Sequence, residues 1–152
     1  MRWRLGTTLL TLASALAFAS PALAGDGANA SVQLTECRAS DGMPSAEFVA
    51  RMRAVPGTRR MAMRFVLQER AGGEGWRSVE YGPLEDWRRS RTLVRMFSYR
   101  QRVSNLEDAL AYRVVVRFRW FDEDGPAIQS AVRRSVACAP LRPDEPAPPA
   151  SP

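Results

Sequence analysis

Arg113, Arg117 and Arg119 alternate with Tyr112, Val114, Val116, Phe118 and Trp120 along one short stretch. A strand that buries its tyrosine, valines and large rings must turn these three guanidinium groups the other way. A guanidinium has two uses there. Its in-plane fork of N–H donors matches carboxylates and phosphates, and its flat face stacks on indole. Trp76 and Trp87 lie in segments that could fold over such a sheet. The residues therefore suggest either an anion-binding face or a self-satisfied arginine and tryptophan ladder.

Other chemistry finds few candidates. The chain has no histidine, which removes the commonest general base and metal ligand. No Gly-x-Ser-x-Gly elbow, phosphate-cradling loop or zinc-type spacing occurs. The run Asp122-Glu123-Asp124-Gly125 lacks the spaced ligands and distant glutamate of a calcium-binding hand. Lying between two strand-like segments, it reads as a solvated hairpin turn. Glu85-Asp86 and Glu107-Asp108 invite the same reading. No catalytic residue, metal or cofactor is expected.

All 22 basic residues are arginine, set against 16 carboxylates. Residues 1–24 have two arginines near the start, an apolar stretch from Leu9 to Ala19, and Pro21 ahead of Ala22-Leu23-Ala24. These are the parts of a secretory signal, with cleavage expected after Ala24. Cleavage would remove Arg2 and Arg4 and leave a net charge of +4. Such a modest excess does not point to nucleic acid. No later run has membrane length, so an extracytoplasmic or secreted chain is expected. Residues 25–30 read as a flexible lead, and 140–152, rich in proline, as a disordered tail. Residues 31–139 leave room for one domain with a single core.

Cys37 and Cys138 are the only cysteines. In an exported protein an even count suggests a bridge, and only one pairing exists.

The hydrophobic period through this domain is two. Ala46, Phe48, Ala50 and Met52 alternate with Glu47, Val49, Arg51 and Arg53 before a Pro56-Gly57 turn. Met61, Met63, Phe65 and Leu67 alternate likewise and end at Ala71-Gly72-Gly73. Residues 76–79 predict a short edge strand, and 81–91 a loop with a helical turn at Leu84-Glu85-Asp86-Trp87. Segments 93–103, 112–121 and 128–138 complete the pattern. The expected fold is all-β, a seven-stranded antiparallel sandwich.

The stretch from Val103 to Phe118 resembles the corner of fibronectin type III domains in which a leucine precedes, by six positions, a tyrosine that opens a strand. Here these are Leu106 and Tyr112. The segment from Arg64 to Val79 is similar to a preceding strand of that family, with its glycine-rich turn and a following tryptophan strand. The family's usual proline in the corner loop is absent. The resemblance implies a fibronectin-like or broader immunoglobulin-like sandwich whose corner tyrosine bonds to the loop backbone. It also places the strands near 61–70 and 128–138 on either side of 112–121. By alternation the outer face would then add Arg64, Arg70 and Arg133 to Arg113, Arg117 and Arg119. Such a ladder of like charge needs solvent, carboxylates such as Glu69 and Glu80, or Trp76 and Trp87 to offset it. The function expected is a secreted, non-catalytic module that contacts a protein or glycan at the cell envelope, with an anionic polymer as one candidate partner. The competing class is a small envelope enzyme or enzyme inhibitor.

Overall fold

The computed structural model describes residues 29–39, 43–123 and 125–139. Residues 1–24, expected to be a signal, most of the expected lead and the proline-rich residues 140–152 lie outside the described residues. Eight strands run in chain order: β1 (Ala30–Arg38), β2 (Ser45–Arg53), β3 (Arg60–Arg70), β4 (Arg77–Val79), β5 (Arg88–Arg89), β6 (Met96–Val103), β7 (Ala111–Phe121) and β8 (Ala127–Arg134). They form two antiparallel sheets. The smaller has the order β1-β2-β6, and the larger has β4-β3-β7-β8 with β5 also paired to β3.

Eight strands replace the seven expected: β1 is not among the segments that the period picks out, and the 81–91 segment, less irregular than its glycine and proline suggest, contributes β5. Its helical turn is a 3-10 turn at Gly82–Leu84, slightly earlier than anticipated. Arg88 and Arg89 then pair with Met63 and Ala62. β1 starts at Ala30, the last residue of the expected lead. Pro56-Gly57 does turn the chain: the Thr58 N–H donates to the Val55 carbonyl at 3.0 Å, and Gly57 adopts φ +84°. Proline followed by a residue of positive φ is the pattern of a type II turn, which favours glycine at the second place.

Alternation decides what is buried. Ala46, Phe48, Ala50 and Met52 of β2, Met61, Met63, Phe65 and Leu67 of β3, and Tyr112, Val114, Val116, Phe118 and Trp120 of β7 all line the space between the sheets. Trp120 is fully buried, and its Nε1–H donates to the Arg53 carbonyl at 2.7 Å. That bond ties β7 of the large sheet to the end of β2 in the small one. It also satisfies an indole donor that burial would otherwise leave unpaired.

A disulfide joins Cys37 to Cys138, with 5.5 Å between their Cα atoms. Both cysteines reach it through an extra residue. In β1 the register shifts between Leu34 and Glu36, after which Cys37 faces Ala46, a core position of β2. After β8, Val115 pairs with Arg134 but Tyr112 pairs with Cys138, so the chain takes one more step than β7 does. A bulge of this kind reverses which side chains point inward. Cys138 is thereby turned into the core, where it is fully buried.

Candidate functional site: the arginine face of the large sheet

The corner at the start of β7 sets the strand's position. Leu106 and Tyr112 are both buried, and the Tyr112 hydroxyl accepts the Glu107 N–H at 2.9 Å. Burial pushes the Tyr112 phenol above its ordinary pKa, with the Glu69 and Glu107 charges adding to the effect and the Glu107 N–H opposing it. A second tyrosine, which no sequence signal singles out, holds the same loop. The Ser104 N–H donates to the Tyr81 hydroxyl at 3.1 Å. The Leu106 N–H also donates to the Pro44 carbonyl, and between these residues Asn105 takes a left-handed φ of 59°, which asparagine tolerates.

With β7 fixed in this phase, Arg113, Arg117 and Arg119 stand on the outer face. β3 pairs along the whole of β7 and contributes Arg64 and Arg70 to the same face. Arg64 lies directly opposite Arg117, and Gln68 opposite Arg113. The Arg113 Nε–H donates to Gln68 Oε1 at 2.9 Å.

Two expectations are corrected. Arg133 pairs with Val116 and therefore shares its inward side; Arg134, opposite Val115, is the outward arginine. The phase of β8 is set by Ala131 facing Phe118, and it cannot be read from a strand that has apolar residues on both faces. Because β8 is an edge strand, a long side chain on its inner side still reaches the rim. The second correction concerns Glu69, which is buried and inward and pairs with Arg77 instead of offsetting the outer ladder.

Indole rings do offset part of it. The Arg113 guanidinium lies 4.1 Å and that of Arg70 4.8 Å from the ring centre of Trp76. Arg119 lies 4.4 Å from that of Trp87. The reason is architectural: Trp76 immediately precedes β4 and Trp87 immediately precedes β5. These short strands pair with opposite halves of β3, β4 at Leu67–Glu69 and β5 at Ala62–Met63. Each delivers its tryptophan to one end of the face. Arg113 is held below the usual guanidinium range by desolvation first, then by Arg134 and Arg70.

The centre is different. Neither Arg64 nor Arg117 has a ring contact or an ion pair among the described residues. Arg64 Nε is cut off from solvent without a hydrogen-bond partner. Between β4 and β5 the edge of β3 opens on a cleft of about 310 Å³ lined by Arg64, Ser78, Tyr81, Glu80 and Glu85, among others. No outward position of β3, β4, β7 or β8 carries a carboxylate.

The small sheet's outer face shows the contrast. Glu36 pairs with Arg38 and Arg102, and Glu47 with Arg100. The Arg102 hydrogen bond leads the effects that hold the Glu36 carboxyl below its ordinary pKa. Carboxylates elsewhere serve turns: Asp122 Oδ1 accepts the Glu123 N–H at 2.7 Å, and Glu123 pairs with Arg59 at 3.4 Å. Asp124 lies outside the described residues. Among the described residues no cluster of three or more potential ligands could hold a metal ion, and no helix is long and apolar enough to cross a membrane. Neither a protein-family model nor a curated protein matches the chain in sequence.

Proposed function

We propose that this chain is an exported, non-catalytic sandwich module of the fibronectin type III-like kind. It contacts an anionic partner outside the cytoplasm, a protein or a glycan, through the outer face of its larger sheet. The observation that carries the reading is the charge on that face, where the outward positions of β3 and β7 hold six arginines, Arg60, Arg64, Arg70, Arg113, Arg117 and Arg119, and no carboxylate. A face of one sign raises the local concentration of an oppositely charged partner and speeds its encounter. The placement of β7 between β3 and β8 and the Tyr112 corner support the fibronectin-like assignment. The signal-like residues 1–24 and the disulfide, a bond that persists in oxidising compartments, support export.

Arginine-selective dicarbonyl labelling, read by mass spectrometry with and without a sulfated polysaccharide, tests the face. Arg64, Arg117, Arg119 and Arg134 should be protected by the polymer, while Arg51 and Arg100 on the small sheet react as before. Equal protection of both faces, or of neither, would remove the proposed surface.

A further inference from the structure

We infer that Arg64 and Arg117 form a subsite for a tetrahedral oxoanion, the sulfate or phosphate group of a linear polyanion lying along β7. The inference rests on the reading of this face as a contact surface and names the group recognised there. Four observations lead to it. The two residues are direct cross-strand partners, so their Cα atoms stand about 4.5–5.5 Å apart, and like charges so placed oppose folding. Neither is neutralised by an ion pair or covered by a ring, unlike Arg70, Arg113 and Arg119 at the two ends. Arg64 also keeps a donor that is buried and unpaired. The remaining outward positions beside them, Ala62, Val66, Val115 and Val132, are small and apolar, and they supply no competing acceptor.

The geometry selects the ligand's chemistry. One guanidinium fork already occupies both oxygens of a carboxylate in a bidentate pair. Two forks carried at facing positions of neighbouring strands have donors to spare, and a sulfate or phosphate group has the additional oxygens to accept from both. Glu80 and Glu85 line the cleft on the β3 edge, which Arg64 also borders, and they repel an anion inside it, so the ligand meets Arg64 from the open sheet face that it shares with Arg117. The stacked arginines extend the site along the strand. Stacking uses the face of a guanidinium and leaves N–H groups in its plane. Arg119 lies about 7 Å and Arg113 about 14 Å from Arg117 along β7, on the rise of an antiparallel strand. A polymer with repeated anionic groups meets fixed donors on both sides of the central pair.

The test is an arginine Nε–H spectrum of ¹⁵N-labelled protein, titrated at constant ionic strength with sulfate, phosphate, acetate or chloride. Sulfate and phosphate should shift the Arg117 signal saturably and at least tenfold more tightly than acetate, with Arg100 of the small sheet unmoved. In Arg64→Gln, with its other signals unchanged to certify folding, the Arg117 response should weaken at least tenfold. Acetate equal to sulfate, or a uniform shift of all arginines, would overturn the subsite. Sulfated polysaccharide and polyphosphate, added in separate arms, tell which kind of polymer brings the group. If a polymer protects the face but the pair ignores both ions, the subsite falls and the contact surface stands. If the pair responds but neither polymer binds, the subsite stands and the polymer-contact reading falls.

Discussion

Cys37 and Cys138 meet because each lies beyond an extra residue that reverses the phase of its strand. Without the irregularity after Leu34, position 37 would face outward, and without the extra step before Cys138 the second sulfur would do the same. The bridge closes a sequence separation of 101 residues and links the first strand of the small sheet to the chain beside β7.

Replacing both cysteines by serine should therefore lower the unfolding free energy by about 3–5 kcal/mol, the range for a bridge that closes a loop of roughly 100 residues. Urea denaturation of the variant beside the oxidised protein measures this. Intact mass should show the parent two hydrogens lighter than its fully reduced form.

Tyr112→Phe should cost about 1 kcal/mol, the usual loss when one hydrogen bond is removed, seen as a lower denaturation midpoint with little change of slope. The same residue gives an alkaline signature. Its folded pKa is raised above the unfolded value, so the ionised form is disfavoured by folding. Its contribution is complete below about pH 10, the unfolded phenol's pKa, and is lost as pH rises from there through the folded pKa. Tyr112→Phe should lose stability less steeply across that window than the parent.

Trp120→Phe should destabilise by about 2 kcal/mol, through a smaller ring in a filled site and a carbonyl left without its donor. Because the lost bond spans the two sheets, thermal unfolding should remain one transition with a lower midpoint.

Sequence made the sandwich readable wherever a strand buries one face and solvates the other. Every inward residue assigned to β2, β3 and β7 is in the core, since Met61 to Leu67 and Tyr112 to Trp120 cannot change phase without exposing several large side chains. β1 was hidden by its own bulge: Val32 and Leu34 keep one phase and Cys37 the other. β5 has two residues, too few to carry a period. In β8 the alternation is weak, with Ile128 and Val132 exposed and Ala131 buried, so its partner decides the side and Arg134 takes the place assigned to Arg133. The tryptophans were legible as ring partners, but which arginine each would cover depends on where β4 and β5 pair with β3, and that register is not local.

Arg113→Ala and Arg119→Ala should each lower stability by about 1 kcal/mol, and the loss should persist in about 1 M salt because stacking and packing are removed along with charge. A loss that vanishes in salt would mean that the rings contribute no packing.

The most direct measurement is the salt dependence of retention of Arg117→Ala on an immobilised sulfated polysaccharide, with denaturation run in parallel. Arg117 has no ring or carboxylate partner among the described residues and faces another arginine. Its removal should leave stability within about 0.5 kcal/mol of the parent, or raise it slightly at low salt. The slope of log retention against log salt should fall by about one unit, as when one anion contact is lost. An unchanged slope with lower stability in high salt would contradict the account, because the central arginine would then be part of the scaffold and not of a binding face.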